Sequence, residues 1–227
     1  RLNTLIQAVR DHVGLVVIDV SKEDDAQVIF ETLNARGTPL LPSDLVKNHL
    51  FHHAELDGEK LDLLYKQYWQ PFDENKNYWR EEIGRGHAKR ARIDLFLQNY
   101  LCLRIRDEVP VAHLYATFRE TSTSSQGVKA KDQLHLLRRY ADIFQGFDKF
   151  EEDSRHAVFF KRLEAMELGT TYPYLMELFA QHGAKTPQVV EALGIVESYL
   201  VRRLVCQLTT RSYGRFFIDL IETIDGP

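Results

Sequence analysis

Apolar residues recur at three- and four-residue spacing along most of this chain, and that period predicts one helix after another. Leu2, Leu5, Ile6 and Val9 predict a short helix over residues 1–12. Gly14 interrupts it, and the run Leu15-Val16-Val17-Ile18-Asp19-Val20 is short and β-branched, which predicts a buried strand. Ser21 with Asp24 resembles a capping box with Asp in the Glu position. The helix it opens carries Ala26, Ile29, Phe30 and Leu33 on one face. Asn34 to Thr38 closes that helix, with Gly37 free to take a left-handed conformation. Ser43 is expected to cap the next helix, whose apolar face is Leu45, Val46 and Leu50.

Beyond this point the pattern is almost wholly helical. Leu61, Leu64, Tyr65, Tyr68, Trp69 and Phe72 form an aromatic face, and Ile93, Phe96, Leu97, Tyr100 and Leu101 form another. Leu114 and Phe118 mark a short helix. Leu134, Leu137, Ala141 and Phe144 give the next stripe, followed by Phe159, Leu163 and Met166. Pro173 stands where a first helical turn tolerates it, ahead of Leu175, Leu178 and Phe179. The longest regular stripe is Val189, Leu193, Val196, Leu200 and Leu204, and a last helix carries Phe216, Phe217, Leu220 and Ile221. Thr121 to Gly127 is the most linker-like stretch and is expected to be mobile. Stripes of this kind are core far more often than cofactor boxes. The expectation is therefore a mainly α chain: a small α/β remnant with one strand over residues 1–52, then a multi-helix bundle over 53–227. A lone strand is not stable, so its partner strands are expected upstream. The chain opens on Arg1, which reads as a piece of a longer protein or a processed product.

Composition changes this picture little. Of 227 residues, 44% are hydrophobic and 27% charged, ordinary values for a globular protein. The net charge of −4 argues against a generally basic nucleic-acid binder, so any DNA contact must come from a local patch. No apolar run is long enough to span a membrane, and no leader pattern is present. Cys102 and Cys206 lie within apolar helical patterns and read as buried free thiols of a reducing, cytoplasmic compartment.

Three clusters could carry chemistry. In the first, Arg36 offers a planar fork suited to phosphate, Gly37 allows close approach of a ligand, and Asp44 and Lys47 share a helix face where they could hold a metal-bound water and a phosphate. The same residues also suit a helix end and surface ion pairs. The second is the basic loop Gly84 to Arg92, where Arg85, His87, Lys89, Arg90 and Arg92 could meet phosphates at a helix start. Its structural reading is a solvated turn balanced by Glu81 and Glu82. In the third, Arg202 and Arg203, with Arg211 and Arg215 beyond, could line a cleft facing DNA or a partner, or form ion pairs inside the bundle. His49, His52 and His53 stand at metal-sharing spacing, but nothing completes a site, and they read as a surface helix end. No Walker loop, dinucleotide turn or serine elbow is present.

One block goes further. Phe30, Leu33, Asn34, Arg36, Gly37, Pro39, Leu40, Asp44, Leu45, Lys47, Asn48, Leu50 and Phe51 fall on the pattern F-x-x-L-N-x-R-G-x-P-L-x-x-x-D-L-x-K-N-x-L-F. It resembles the DUF262 family, the nucleotide-hydrolysing half of GmrSD-type restriction proteins. Val16 to Val20 with Asp25 to Ile29 is similar to the strand and helix that precede this block in the family. Trp79-Arg80-Glu81-Glu82 with Gly84-Arg85-Gly86 looks like its middle, and Ser198 to Cys206 like its late helix. The resemblance implies that Asn34, Arg36, Gly37, Asp44, Lys47 and Asn48 build or support a nucleotide pocket. For the parent protein it also implies an NTP with Mg2+, modified phage DNA as substrate and an HNH-type nuclease half. The family's Asp-Gly-Gln-Gln-Arg motif does not occur in this sequence. The chain alone is therefore expected to be inactive, and the rival expectation is a non-catalytic helical module that binds DNA or protein.

Overall fold

The computed structural model describes residues 41–84, 89–124 and 128–224, together with Gln7 and Arg10. The chain divides into two compact units, Arg1–Leu40 and Leu41–Pro227. In the first, Gln7 and Arg10 are helical. The strand expected at Leu15 to Val20 lies outside the described residues. The boundary expected after residue 52 falls inside the first helix of the second unit.

That unit is mainly α, as the periodicity predicts. Helix α1 (Pro42–Leu56) leads through Gly58 to α2 (Leu61–Leu64), a π-helical turn (Tyr65–Trp69), α3 (Gln70–Glu74) and α4 (Lys76–Trp79). A two-stranded antiparallel ribbon, β1 (Glu82–Ile83) and β2 (Arg90–Ala91), pairs Glu82 with Ala91. It is followed by α5 (Arg92–Ile105), α6 (Leu114–Ser124), α7 (Ala130–Gly146), α8 (Arg155–Ala165), α9 (Tyr172–His182), α10 (Pro187–Val205) and α11 (Tyr213–Ile224). Helix α9 is the hub. Its residues from Pro173 to Phe179 are buried, and it packs on α5, α7, α10 and α11. Helix α1 packs on α5, α6 and α7.

The π turn has a local cause. Pro71 has no N–H to give the carbonyl four residues back, and its ring crowds that carbonyl. The chain widens just before it, and the Gln70 N–H reaches the Tyr65 carbonyl instead. The wider turn leaves Tyr65 and Trp69 on the side of α1, with Phe51 edge-on to Trp69 at 6.3 Å. A continuous aromatic seam runs Trp69, Phe72, Trp79, Phe96, Phe144, with successive ring centroids 5.1, 4.9, 5.6 and 5.7 Å apart. Each such pair adds about 0.5–1.5 kcal/mol beyond simple burial.

Two helix starts are capped from a distance. Helix α1 begins at Pro42 after Leu41, and no side chain of its own caps it. Ser43 is not the cap expected from sequence: it is the second helical residue, fully buried, and its N–H donates to Asp94 Oδ1 of α5 at 3.0 Å. The Ala130 N–H that opens α7 donates to Asp57 Oδ2 at 3.0 Å. Only α8 shows a local side-chain cap among the described residues, Ser154 Oγ accepting from the Ala157 N–H.

Other expectations are corrected. Thr121 to Ser124 is not linker but the last turn of α6, where the Thr121 and Thr123 hydroxyls donate to the Thr117 and Arg119 carbonyls. Residues 125–127 lie outside the described set. Cys102 is buried as expected, but Cys206 is exposed. The α10 stripe is buried through Leu200, whereas Leu204 is 58% exposed.

Candidate functional site

The described part of the family block is the start of α1, and it is a charge cluster. Asp44 binds Arg80 at 2.7 Å, and Arg80 also reaches the Ser43 hydroxyl. Lys47 binds Asp73 at 2.6 Å, and Asp73 accepts a second hydrogen bond from the Tyr65 hydroxyl at 3.0 Å. The Lys47 ammonium lies 5.0 Å from the Tyr65 ring centre and 5.9 Å from that of Trp69. Asn48 is exposed on the same helix. Asp44 and Lys47 thus stand one turn apart, each joined to a different element: Asp44 to the residue after α4, Lys47 to α3.

The electrostatics follow this geometry. Burial raises the Asp94 carboxyl above its ordinary range, while hydrogen bonds from Ser43 and the Arg80 charge pull it back only in part. Burial alone would lower Arg80, but hydrogen bonding and charge from Asp44 outweigh it and raise the guanidinium. The hydrogen bond to Asp73 is the chief reason Tyr65 titrates above an ordinary phenol. In the described residues the carboxylate of Asp44 and the ammonium of Lys47 are already matched by protein partners. The arrangement joins α1 to α3 and to the residue after α4. It fits holding the first turns of α1 in place.

Asn34, Arg36 and Gly37 lie outside the described residues, as do Arg85 and His87. Of the basic loop, β1 and β2 form its stem. Lys89 is exposed and Arg90 half-buried. Arg92 binds Glu81 at 2.6 Å and Asp148 at 3.1 Å and stacks 4.3 Å over Tyr78, so it ties the ribbon to the end of α7. Glu81 supplies the expected balance, and Asp148 was not legible in the local sequence. Arg202 is exposed, and among the described residues it makes no ion pair. Arg203 makes no ion pair either. It donates to the Tyr213 hydroxyl at 3.2 Å and the Thr209 carbonyl at 3.0 Å, lies over Tyr199 and Tyr213, and so staples the α10–α11 turn.

Of the three histidines, His52 is exposed and His53 half-buried, and only His49 departs from a surface helix end. His49 is buried, 4.4 Å from the His53 ring and edge-on to Tyr115 and Phe118. Among the described residues no group of three or more His, Cys, Asp or Glu side chains gathers as a metal site. Nor is any helix long and apolar enough to cross a membrane.

Sequence reasoning missed Arg80, Asp73, Tyr65 and Asp94 as the partners of the block. Arg80 and Tyr65 stood within stretches that had drawn attention, but not as partners of the block. Their pairings span 8 to 51 positions along the chain, which no local pattern shows.

Residues 1–51 match the family model of the GmrSD restriction endonuclease, N-terminal domain. The match contains the whole block from Phe30 to Phe51 and ends inside α1. No curated protein matches the chain, and no solved structure does.

Proposed function

We propose that this chain is part of a GmrSD-like restriction protein, and that its block from Asn34 to Asn48 contributes to a nucleotide pocket. The observation that carries the reading is the match of residues 1–51 to the GmrSD N-terminal domain. Asn34, Arg36 and Gly37 are the groups that touch the nucleotide: an amide, a fork-shaped cation and a backbone free of a side chain. Asp44, Lys47 and Asn48 support them through α1, a division favoured by the ion pairs of Asp44 with Arg80 and Lys47 with Asp73. Mg2+ would accompany the NTP, neutralising phosphate charge, and an HNH-type half of the parent protein would cut modified phage DNA. In the helical domain Arg85, His87 and Lys89 are the candidates for DNA phosphate. Arg90 lies in β2 and Arg92 opens α5.

The second reading is a non-catalytic helical module that binds DNA or protein. It is favoured by the same ion pairs, which give Asp44 and Lys47 a purely structural task.

Calorimetry separates the two. GTP, UTP, CTP and ATP, each with Mg2+, are titrated into the chain and into Asn34→Ala and Arg36→Ala variants. Saturable binding of at least one nucleotide, lost in both variants at unchanged melting temperature, supports the pocket. A folded chain that binds none of the four favours the interaction module.

A further inference from the structure

The last turn of α10 and the loop to α11 leave a run of apolar side chains bare. Val201, Leu204, Val205 and Leu208 are 40, 58, 75 and 50% exposed, and Phe216 at the start of α11 is 36% exposed. Val201, Leu204 and Val205 stand at i, i+3 and i+4 on one side of α10, and Leu208 follows just beyond its end. One turn upstream, Glu197 on that side is covered: it is held by Arg155 and Arg162 of α8. The bare stripe therefore lies next to a packed contact between α10 and α8.

The stripe is not frayed chain. The Leu208 N–H donates to the Arg203 carbonyl and the Gln207 N–H to the Leu204 carbonyl, both at 3.0 Å, with Gln207 at φ 54°. This is a Schellman closure, and it normally tucks the following apolar residue against the helix. Here Leu208 is ordered by the backbone and still half exposed. Arg203 fastens the loop from the other side through Thr209 and Tyr213.

Charge completes the surface. The 19 residues from Ser198 to Phe216 hold four arginines and no acidic residue, within a chain of net charge −4. Arg202 and Arg211 are exposed, and among the described residues neither forms an ion pair. Arg215 pairs with Asp219 and Asp107, and Arg203 is spent on the loop. What remains is an apolar stripe beside two uncompensated cations.

We propose that this surface docks an amphipathic, acidic helical segment of another protein, its apolar side on Val201, Leu204, Val205 and Leu208 and its carboxylates on Arg202 and Arg211. An amphipathic helix lays its apolar side against an exposed apolar surface, and an ordered exposed patch of this kind marks an interaction site. The charge selects the sign of the partner. The inference does not rest on the nucleotide reading, because these residues lie outside the matched segment.

The test uses the full chain and a defined probe. A fluorescent helical peptide carries leucines at i, i+3, i+4 and i+7 and glutamates elsewhere, and its twin carries lysines for the glutamates. Anisotropy is measured for the native chain, for Leu204→Ser with Leu208→Ser, and for Arg202→Glu with Arg211→Glu. All the altered side chains are exposed, and unchanged melting temperatures confirm that both variants fold. The expected result is saturable binding of the glutamate peptide alone, weakened at least about tenfold in each double variant. Absence of binding overturns the proposal. So does equal binding of the lysine twin, or binding of phosphatidylserine vesicles in place of the peptide. A concentration-dependent dimer that Leu204→Ser with Leu208→Ser abolishes also overturns it, by making a second copy the occupant.

Discussion

The start of α1 and the end of α10 use the same materials to opposite effect. At the start of α1, every described charge meets an opposite charge or a buried hydrogen bond: Asp44 with Arg80, Lys47 with Asp73, Asp94 with the Ser43 N–H. At the end of α10, arginines stand without carboxylates, and leucines and valines stand in solvent. The first cluster joins α1, the segment around α3 and α4, and α5. The second joins nothing among the described residues beyond its own turn. Polar residues matched inside the fold contribute to stability, and residues left unmatched on an ordered surface are free for recognition. Measurements of stability and of binding should therefore separate cleanly between the two regions.

The largest expected effect is at Asp94. Asp94→Ala leaves the buried Ser43 N–H without its acceptor, a loss of about 1–3 kcal/mol in chemical denaturation. Asp94→Asn keeps an acceptor and should cost less than half as much. An alanine variant as stable as the native chain would mean that α1 needs no cap from α5.

Lys47→Ala comes next. It removes a half-buried ion pair and the cation beside Tyr65 and Trp69, and should cost about 1–2 kcal/mol, between the range for exposed pairs and that for buried ones.

Two carboxylates should then show opposite pH behaviour. For Glu197, burial alone would raise the carboxyl, but Arg162 and Arg155 outweigh it and hold it below its usual range. Its contribution is present above the unfolded carboxylate range and lost as pH falls through the folded value. Asp94 is raised by burial, so its contribution is full below the unfolded value and is lost as pH rises through the folded one. Denaturant midpoints between neutral and acid pH should fall less in Glu197→Gln than in the native chain. Asp94→Asn should remove a compensating gain and steepen the fall. The same slope in all three proteins would contradict the assignment.

The smallest effect is at the bare stripe. Leu204→Ser with Leu208→Ser should change stability by no more than about 0.5 kcal/mol, as for surface positions without special contacts. A loss of core size there would show that the side chains are packed, and the contrast between the two regions would fail.

The helical identity of the chain was legible because period alone carries it, and the π turn was foreshadowed only by Pro71. Helix ends were less legible. Helices α8 and α10 close on Glu167 and Gln207 at positive φ, with no glycine to mark the stop, and Arg106 plays a similar part after α5. Glycine marks the end of α1, where Gly58 at φ 74° follows the last turn. Caps were misread for a related reason. Ser43 has the chemistry of a cap, but Pro42 starts the helix one residue earlier and Asp94, far along the chain, takes the role. In the candidate site, the sequence singled out Asp44 and Lys47 but not their partners. An ion pair between positions 36 apart leaves no trace in local spacing. The exposure of Leu204 was equally hidden, since the stripe continues in register beyond Leu200, where its burial stops.

The proposed nucleotide contact of Asn34 and Arg36, set against a structural role for Lys47, is open to one direct measurement. It is tested most directly by measuring nucleotide affinity and melting temperature together for Arg36→Ala and Lys47→Ala. Arg36→Ala is expected to lose binding at native stability, while Lys47→Ala melts lower yet binds with near-native affinity at temperatures where it is folded. Loss of binding in a stable Lys47→Ala, with Arg36→Ala unaffected, would contradict it.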